Sequence, residues 1–174
     1  MFLEFFRRHK KFSYPLDISD AQTGEMLKGC VPKDQLYKTG PFYCDLSPSS
    51  HNGPYQRAID FIVKDGSIVY ASRSGRVVDM VEAHSTYGPG PAFADKLNYI
   101  TIDHGDCLSQ YGHLQKGSPS MYGIRAGKQV MRGQVIGIVG KTGWVDYGEQ
   151  GDHLHFMVFV EDKKGFHSIS VDFI

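Results

Sequence analysis

From Gln56 onward the chain resolves into strand-sized apolar runs, at 58–63, 67–71, 76–81, 98–103, 108–113, 130–139, 153–160 and 169–173, each bounded by glycine, aspartate or asparagine. Runs of this length, with two-residue alternation and few long helical periods, build strands. Twenty glycines spread between them make turns affordable at every boundary, so a turn-rich, mainly β fold with few short helices is expected. Two phrases look alike: 65–71 with 74–77, and 127–130 with 133–137. Each reads as strand, tight glycine turn and strand, which predicts hairpin-like units and not a solenoid.

The 174 residues suffice for one core, and no second catalytic domain need be sought. Residues 1–50 lack a steady period and carry Pro15, Pro32, Pro41 and Pro48, which reads as an extension or ordered wrapping segment around a domain at 51–174. Nineteen basic residues balance nineteen acidic ones, so a polyanion-binding surface, and with it a nucleic-acid partner, is not expected. The N-terminus places Arg7, Arg8, Lys10 and Lys11 after an apolar start, the reverse of a secretory signal, and its apolar stretch is too short to span a bilayer. Cys30, Cys44 and Cys107 lack the close pairing of a zinc ribbon or redox motif; Cys30 and Cys44 could close a bridge in an oxidising compartment, leaving the third unpaired.

The chemistry gathers around histidine. His153 and His155 lie two apart in a strand-like segment, so their imidazoles share a face and can converge on one point. Alone, the pair reads more readily as two surface histidines. Upstream, His51 closes the irregular region and Asp60 sits in the first apolar strand, where a carboxylate without a partner is costly. His51, Asp60 and one member of the later pair supply two nitrogens and an oxygen, the three-ligand arrangement of catalytic zinc with a position left open. No His-Glu-x-x-His helix occurs to supply a glutamate base. His113, at the end of another strand, and the remaining member of the pair could carry the proton or stabilise the oxyanion.

These residues, in this order, resemble the lysostaphin-type (LytM-like) zinc metallopeptidases, a family of peptidoglycan endopeptidases. The resemblance runs from His51 to the C-terminus through Ala58-Ile59-Asp60-Phe61, 66–77, Ile100-Thr101-Ile102-Asp103-His104-Gly105, Tyr111-Gly112-His113-Leu114, 130–137, Gly140-Lys141-Thr142-Gly143 and 151–156. It implies an antiparallel, sandwich-like β-sheet fold with an open groove over one Zn2+ ion, with His51, Asp60 and His155 as ligands and His113 and His153 as the catalytic pair. It also implies a peptidoglycan peptide as substrate and a cell-envelope, periplasmic or secreted location. Two departures stand out: eight residues separate His51 from Asp60 where the best-known members have three, and Asp152 occupies a place often held by proline, where its carboxylate could tune His153.

Several roles stay open at this level. His104 follows a strand near a groove-lining position of the family and reads equally as a turn residue; His9, His84 and His167 read as solvated. Tyr111, two before His113, should share its strand face, either packing under the site or donating to the oxyanion. The loop at 82–97, longer than a hairpin needs, and the loop at 143–151 would select the substrate. Two other functions compete: a non-catalytic binding or regulatory module of the same fold, and a biotinyl or lipoyl carrier hairpin at 126–135, which would have no use for the histidines.

Overall fold

The computed structural model describes residues 10–25, 27, 31–146, 152–163 and 165–174. The dominant element is a nine-stranded sheet in which every pairing is antiparallel. Its strands are β1 (Leu36–Thr39), β2 (Phe42–Asp45), β3 (Ile59–Ile62), β4 (Gly75–Val81), β5 (Tyr99–Asp103), β6 (Leu108–Gly112), β7 (Gln129–Val130), β8 (His153–Asp162) and β9 (Gly165–Ser168). Spatially they run β7-β4-β5-β6-β8-β3-β2-β1, with β9 also on β8. The expected mainly β fold is what forms, with one short α-helix, Ser118–Met121, among the described residues. None of the described helices is long and apolar enough to cross a membrane.

Strand β8 is the spine. It bonds β6 along one edge and both β3 and β9 along the other. Its alternation divides the molecule: Leu154, Phe156 and Val158 enter the main core, whereas His153, His155, Met157 and Phe159 point to the other face. Over the core face lies a second layer, Ile68–Tyr70 paired antiparallel with Val135–Ile138. Val69 and Ile136 of that layer share one apolar cluster with Ile100, Ile102, Tyr111, Leu154 and Phe156. Burying such side chains contributes about 1.5–3 kcal/mol each before chain entropy is set against it.

The two similar phrases do not form separate hairpins; they pair with one another. Ile68–Tyr70 meets Val135–Ile138, and Gly75-Arg76 meets β7. Their turns interlock, Ala71 N–H donating to the Gln134 carbonyl at 2.9 Å and Gly133 N–H to the Ala71 carbonyl at 2.8 Å. Each phrase therefore steps from one layer to the other. For the same reason the expected run 130–139 is two strands in different sheets, separated by a turn with Gly133 at φ +80°.

The proline-rich first fifty residues contribute more regular structure than their pattern suggested. Lys10–Phe12 pairs in parallel with Val171–Phe173, and β1 and β2 extend the main sheet beyond β3. Tyr14 stacks on Phe173 with ring centroids 4.7 Å apart, and Phe12 and Phe42 are fully buried. Short strands with irregular spacing carry little periodic signal, and it is aromatic burial that holds them. Cys30 lies outside the described residues, as does most of the basic N-terminus.

Candidate metal centre and active-site groove

One cross-strand row sets up the site. Asp45 on β2 faces Asp60 on β3, Asp60 faces His155 on β8, His155 faces Gly112 on β6, and Gly112 faces Tyr99 on β5. The glycine in this row makes room. A Cβ at Gly112 would stand 3.2 Å from the Cβ of His155 and 3.4 Å from Leu97 Cδ1. His51 arrives from the turn after β2, where its N–H donates to the Ser47 carbonyl at 2.7 Å. The eight residues that follow make a short 3-10 turn at Gly53–Tyr55 and lead back to β3.

Three donor atoms consequently meet. His155 Nδ1 lies 2.9 Å and His51 Nε2 3.2 Å from Asp60 Oδ1, and the two nitrogens are 3.3 Å apart. A tetrahedral ion with zinc-like bonds of about 2.0–2.2 Å has donor-to-donor edges of about 3.3–3.6 Å. The triangle is within a few tenths of an ångström of one face of such a tetrahedron. Its donors are the imidazole and carboxylate types that zinc takes, so the residues fit that ion.

The electrostatics agree with this geometry. Burial alone would raise the Asp60 carboxyl, but the charges of His153 and His51 and the hydrogen bonds from His155 and His51 hold it well below the ordinary carboxylate range. It is an anion facing the histidines. His155 is lowered, first by burial, so its imidazole favours the neutral form that ligates a metal. For His51 burial is opposed and outweighed by the Asp60 carboxylate, and the ring is raised.

Beside the cluster stand the other two histidines. Strand β6 ends at Gly112, and His113 takes φ +60°, which swings its ring out of the strand alternation and toward the groove. Its Nδ1–H donates to the Thr142 carbonyl at 2.7 Å, so Nε2 carries the lone pair. Burial, reinforced by the charges of His153 and His155, pushes His113 well below its ordinary value and keeps it neutral. His153 lies edge-on to it, ring centroids 4.4 Å apart, with Nε2 3.8 Å from Asp60 Oδ2.

All five histidine and aspartate candidates line one groove of ≈ 450 Å³. Ala94 and Leu97, from the long loop at 82–97, form part of its wall, and Trp144 and Asp146 another part. Asp146 ties the rim together, accepting from Gly90 N–H at 3.2 Å, from Ser49 Oγ at 3.3 Å and from Trp144 Nε1.

Other sequence expectations change here. Tyr111 does not share a face with His113: strand alternation sends it to the core, where Ser72 N–H donates to its hydroxyl at 2.9 Å, while Gln110 faces the groove. His104 lies away from the groove, its Nδ1–H on the Ser74 carbonyl at 2.8 Å and its ring edge-on to Phe12. Asp152 does not aim at His153; it accepts from Asp65 N–H at 3.0 Å and pairs with Lys141 at 3.2 Å. His84 is half-buried, His167 is exposed, and His9 lies outside the described residues.

Four supporting residues escaped the sequence reading. Asp45 and Ser47 adjoin Asp60, while Asn98 and Thr142 hold the strand end that carries His113. Thr142 Oγ1 donates to the Leu114 carbonyl at 2.9 Å and accepts from Asn98 N–H at 3.1 Å; Asn98 Nδ2 reaches the carbonyls of His84 and Leu114. Thr142 lay within a recognised motif, and Asn98 opened an expected strand, but nothing local marked either as a support.

The family model for peptidase family M23 matches residues 54–166, a span containing Asp60, His113, His153 and His155 and starting just after His51. The peptidoglycan DD-endopeptidase ShyA of Vibrio cholerae is 35% identical over 114 residues, covering 65% of this chain and 21% of that protein. Lysostaphin of Staphylococcus simulans is 32% identical over 126 residues, covering 71% of this chain and 21% of the relative. The match thus spans about a fifth of these relatives' length. Among solved structures, a zinc-containing peptidase from Vibrio cholerae shares the fold, with TM-score 0.55 at 21% identity over 95% of this chain and 41% of that one.

Proposed function

The chain belongs to peptidase family M23, and from that premise we propose that it is a zinc-dependent endopeptidase cutting peptide bonds in bacterial peptidoglycan, at the cell envelope or outside the cell. The observation that carries the reading is the convergence of His51 Nε2, Asp60 Oδ1 and His155 Nδ1 within 3.3 Å of one another on the wall of a groove. The names of the relatives, two of them peptidoglycan DD-endopeptidases, support the substrate class.

His51, Asp60 and His155 would hold the ion. Bound there, zinc supplies Lewis acidity toward a scissile carbonyl and makes water a nucleophile near neutral pH. His113 is the proton acceptor: Thr142 fixes its tautomer, and burial keeps Nε2 unprotonated and open to the groove. His153, beside it, donates a hydrogen bond to the developing oxyanion. The rim residues Leu97, Trp144 and Asp146 confine an extended peptide over these groups.

The decisive experiment incubates the purified protein with muropeptides, with and without a chelator, and identifies products by mass. Cleavage that the chelator stops and zinc restores is expected, together with loss of both zinc and cleavage in Asp60→Ala. Intact muropeptides in a zinc-loaded sample would rule out the peptidoglycan assignment.

A further inference from the structure

Ser47 touches both ends of the metal cluster without belonging to it. It sits between β2 and His51 at φ +43°, a left-handed conformation uncommon for serine. Every polar group it has is engaged nearby. Its N–H donates to Asp45 Oδ1 at 2.9 Å, its carbonyl accepts from His51 N–H at 2.7 Å, and its hydroxyl donates to Asp60 Oδ2. The two Asp60 oxygens are thereby divided: Oδ1 meets the nitrogens of His51 and His155, and Oδ2 accepts from the serine, with His153 Nε2 3.8 Å away.

A ligand carboxylate with both oxygens free can bind a metal through one or through two. We propose that Ser47 is a positioning residue for the metal: its hydroxyl keeps Asp60 a one-oxygen ligand, while its carbonyl fixes the approach of His51. Asp45, itself buried, holds the serine N–H and so keeps the turn in the conformation that lets one residue do both. The bond to Asp60 is charge-assisted, which makes it stronger than a neutral one. The inference rests on reading the His51–Asp60–His155 cluster as the zinc site.

Zinc affinity, measured by chelator competition on the full chain, tests it with wild type, Ser47→Ala and Ser47→Gly. Wild type is expected to bind one equivalent. Alanine and glycine, which both lack the hydroxyl, should weaken binding alike by about 10–100-fold, the usual loss when a ligand's hydrogen-bonding partner is removed. Glycine relieves the left-handed backbone, so glycine binding as tightly as wild type would show that the turn matters and the hydroxyl does not, overturning the proposal.

The cobalt(II) form gives a second readout. In alanine and glycine the visible absorption should weaken as Asp60 turns to two-oxygen ligation and coordination rises above four; spectra identical to wild type at saturation would also overturn the proposal. Failure of wild type to bind zinc would overturn the zinc reading and this inference together. Normal wild-type binding with unaffected variants would overturn only the role of Ser47.

Discussion

His104 and His113 stand at opposite ends of the β5–β6 hairpin and begin from the same local chemistry. Each follows directly on a strand, donates Nδ1–H to a backbone carbonyl, at 2.8 Å to Ser74 and at 2.7 Å to Thr142, and is lowered by burial. They part at the second nitrogen. His104 Nε2 meets Ser109 Oγ at 2.9 Å, with Phe12 against the ring, so all its valences are spent inside the scaffold. His113 instead presents its ring to the groove beside His153 and His155. A desolvated, anchored, neutral histidine is therefore not a site by itself; what its remaining nitrogen faces decides.

The strongest way to break this contrast is to truncate both. His113→Ala should lower kcat by about 10²–10⁴-fold, the ordinary worth of a positioned proton carrier, with zinc content unchanged. His104→Ala should leave kcat close to wild type but lose about 1–3 kcal/mol of stability, because the Ser74 carbonyl and the Ser109 hydroxyl each lose a hydrogen bond. Turnover, zinc content and thermal unfolding measured on both variants check the pair. Loss of turnover in His104→Ala at full zinc occupancy would erase the distinction.

A smaller effect should sharpen it from the scaffold side. Thr142 holds His113 by its carbonyl and is itself held by its hydroxyl, between Asn98 N–H and the Leu114 carbonyl. Thr142→Val keeps the shape and removes those two hydrogen bonds. The His113 ring should then lose its fixed orientation, costing about tenfold in kcat, or about 1.4 kcal/mol, with KM and zinc content little changed. An equal loss of zinc would mean that Thr142 supports the His51–Asp60–His155 cluster as well as His113.

The same contrast explains what could be read from the sequence. The shared placement of His153 and His155 on the groove was legible because strand alternation puts them on one face, that of Asp60 because a lone carboxylate in an apolar strand needs partners, and that of His51 and His113 because they completed a recognisable ordered set. Tyr111 was misplaced by that same alternation: extending it one residue past Gly112 ignored the left-handed turn at His113, which no local residue type announces. His104 could not be told from His113, since both end strands and the difference lies in partners from distant segments, Phe12 and Ser74 against Thr142 and His153. Strands β1 and β2 were missed because their pairing is decided by aromatic burial across sequence separations that periodicity does not register.

The smallest effect is one of pH, and its sign follows from burial. His104 is held below its ordinary value of 6.5, first by desolvation, with the Ser74 carbonyl opposing. The unfolded chain then takes up a proton near pH 6.5 that the folded chain refuses until lower pH. The advantage of burying a neutral ring is complete above that range and is lost as pH falls toward the folded value. Asparagine at this position can still donate an amide N–H toward Ser74 and does not titrate. The stability excess of wild type over His104→Asn should therefore shrink as zinc-free samples are taken from pH 8 to pH 5. His113 is lowered further than His104, by burial and by two neighbouring histidines, so the excess over His113→Asn should keep shrinking to lower pH. Chemical denaturation at each pH measures both. A gap that widens on acidification at position 104 would mean that its ring gains a proton on folding, contrary to the desolvated neutral state from which the comparison began.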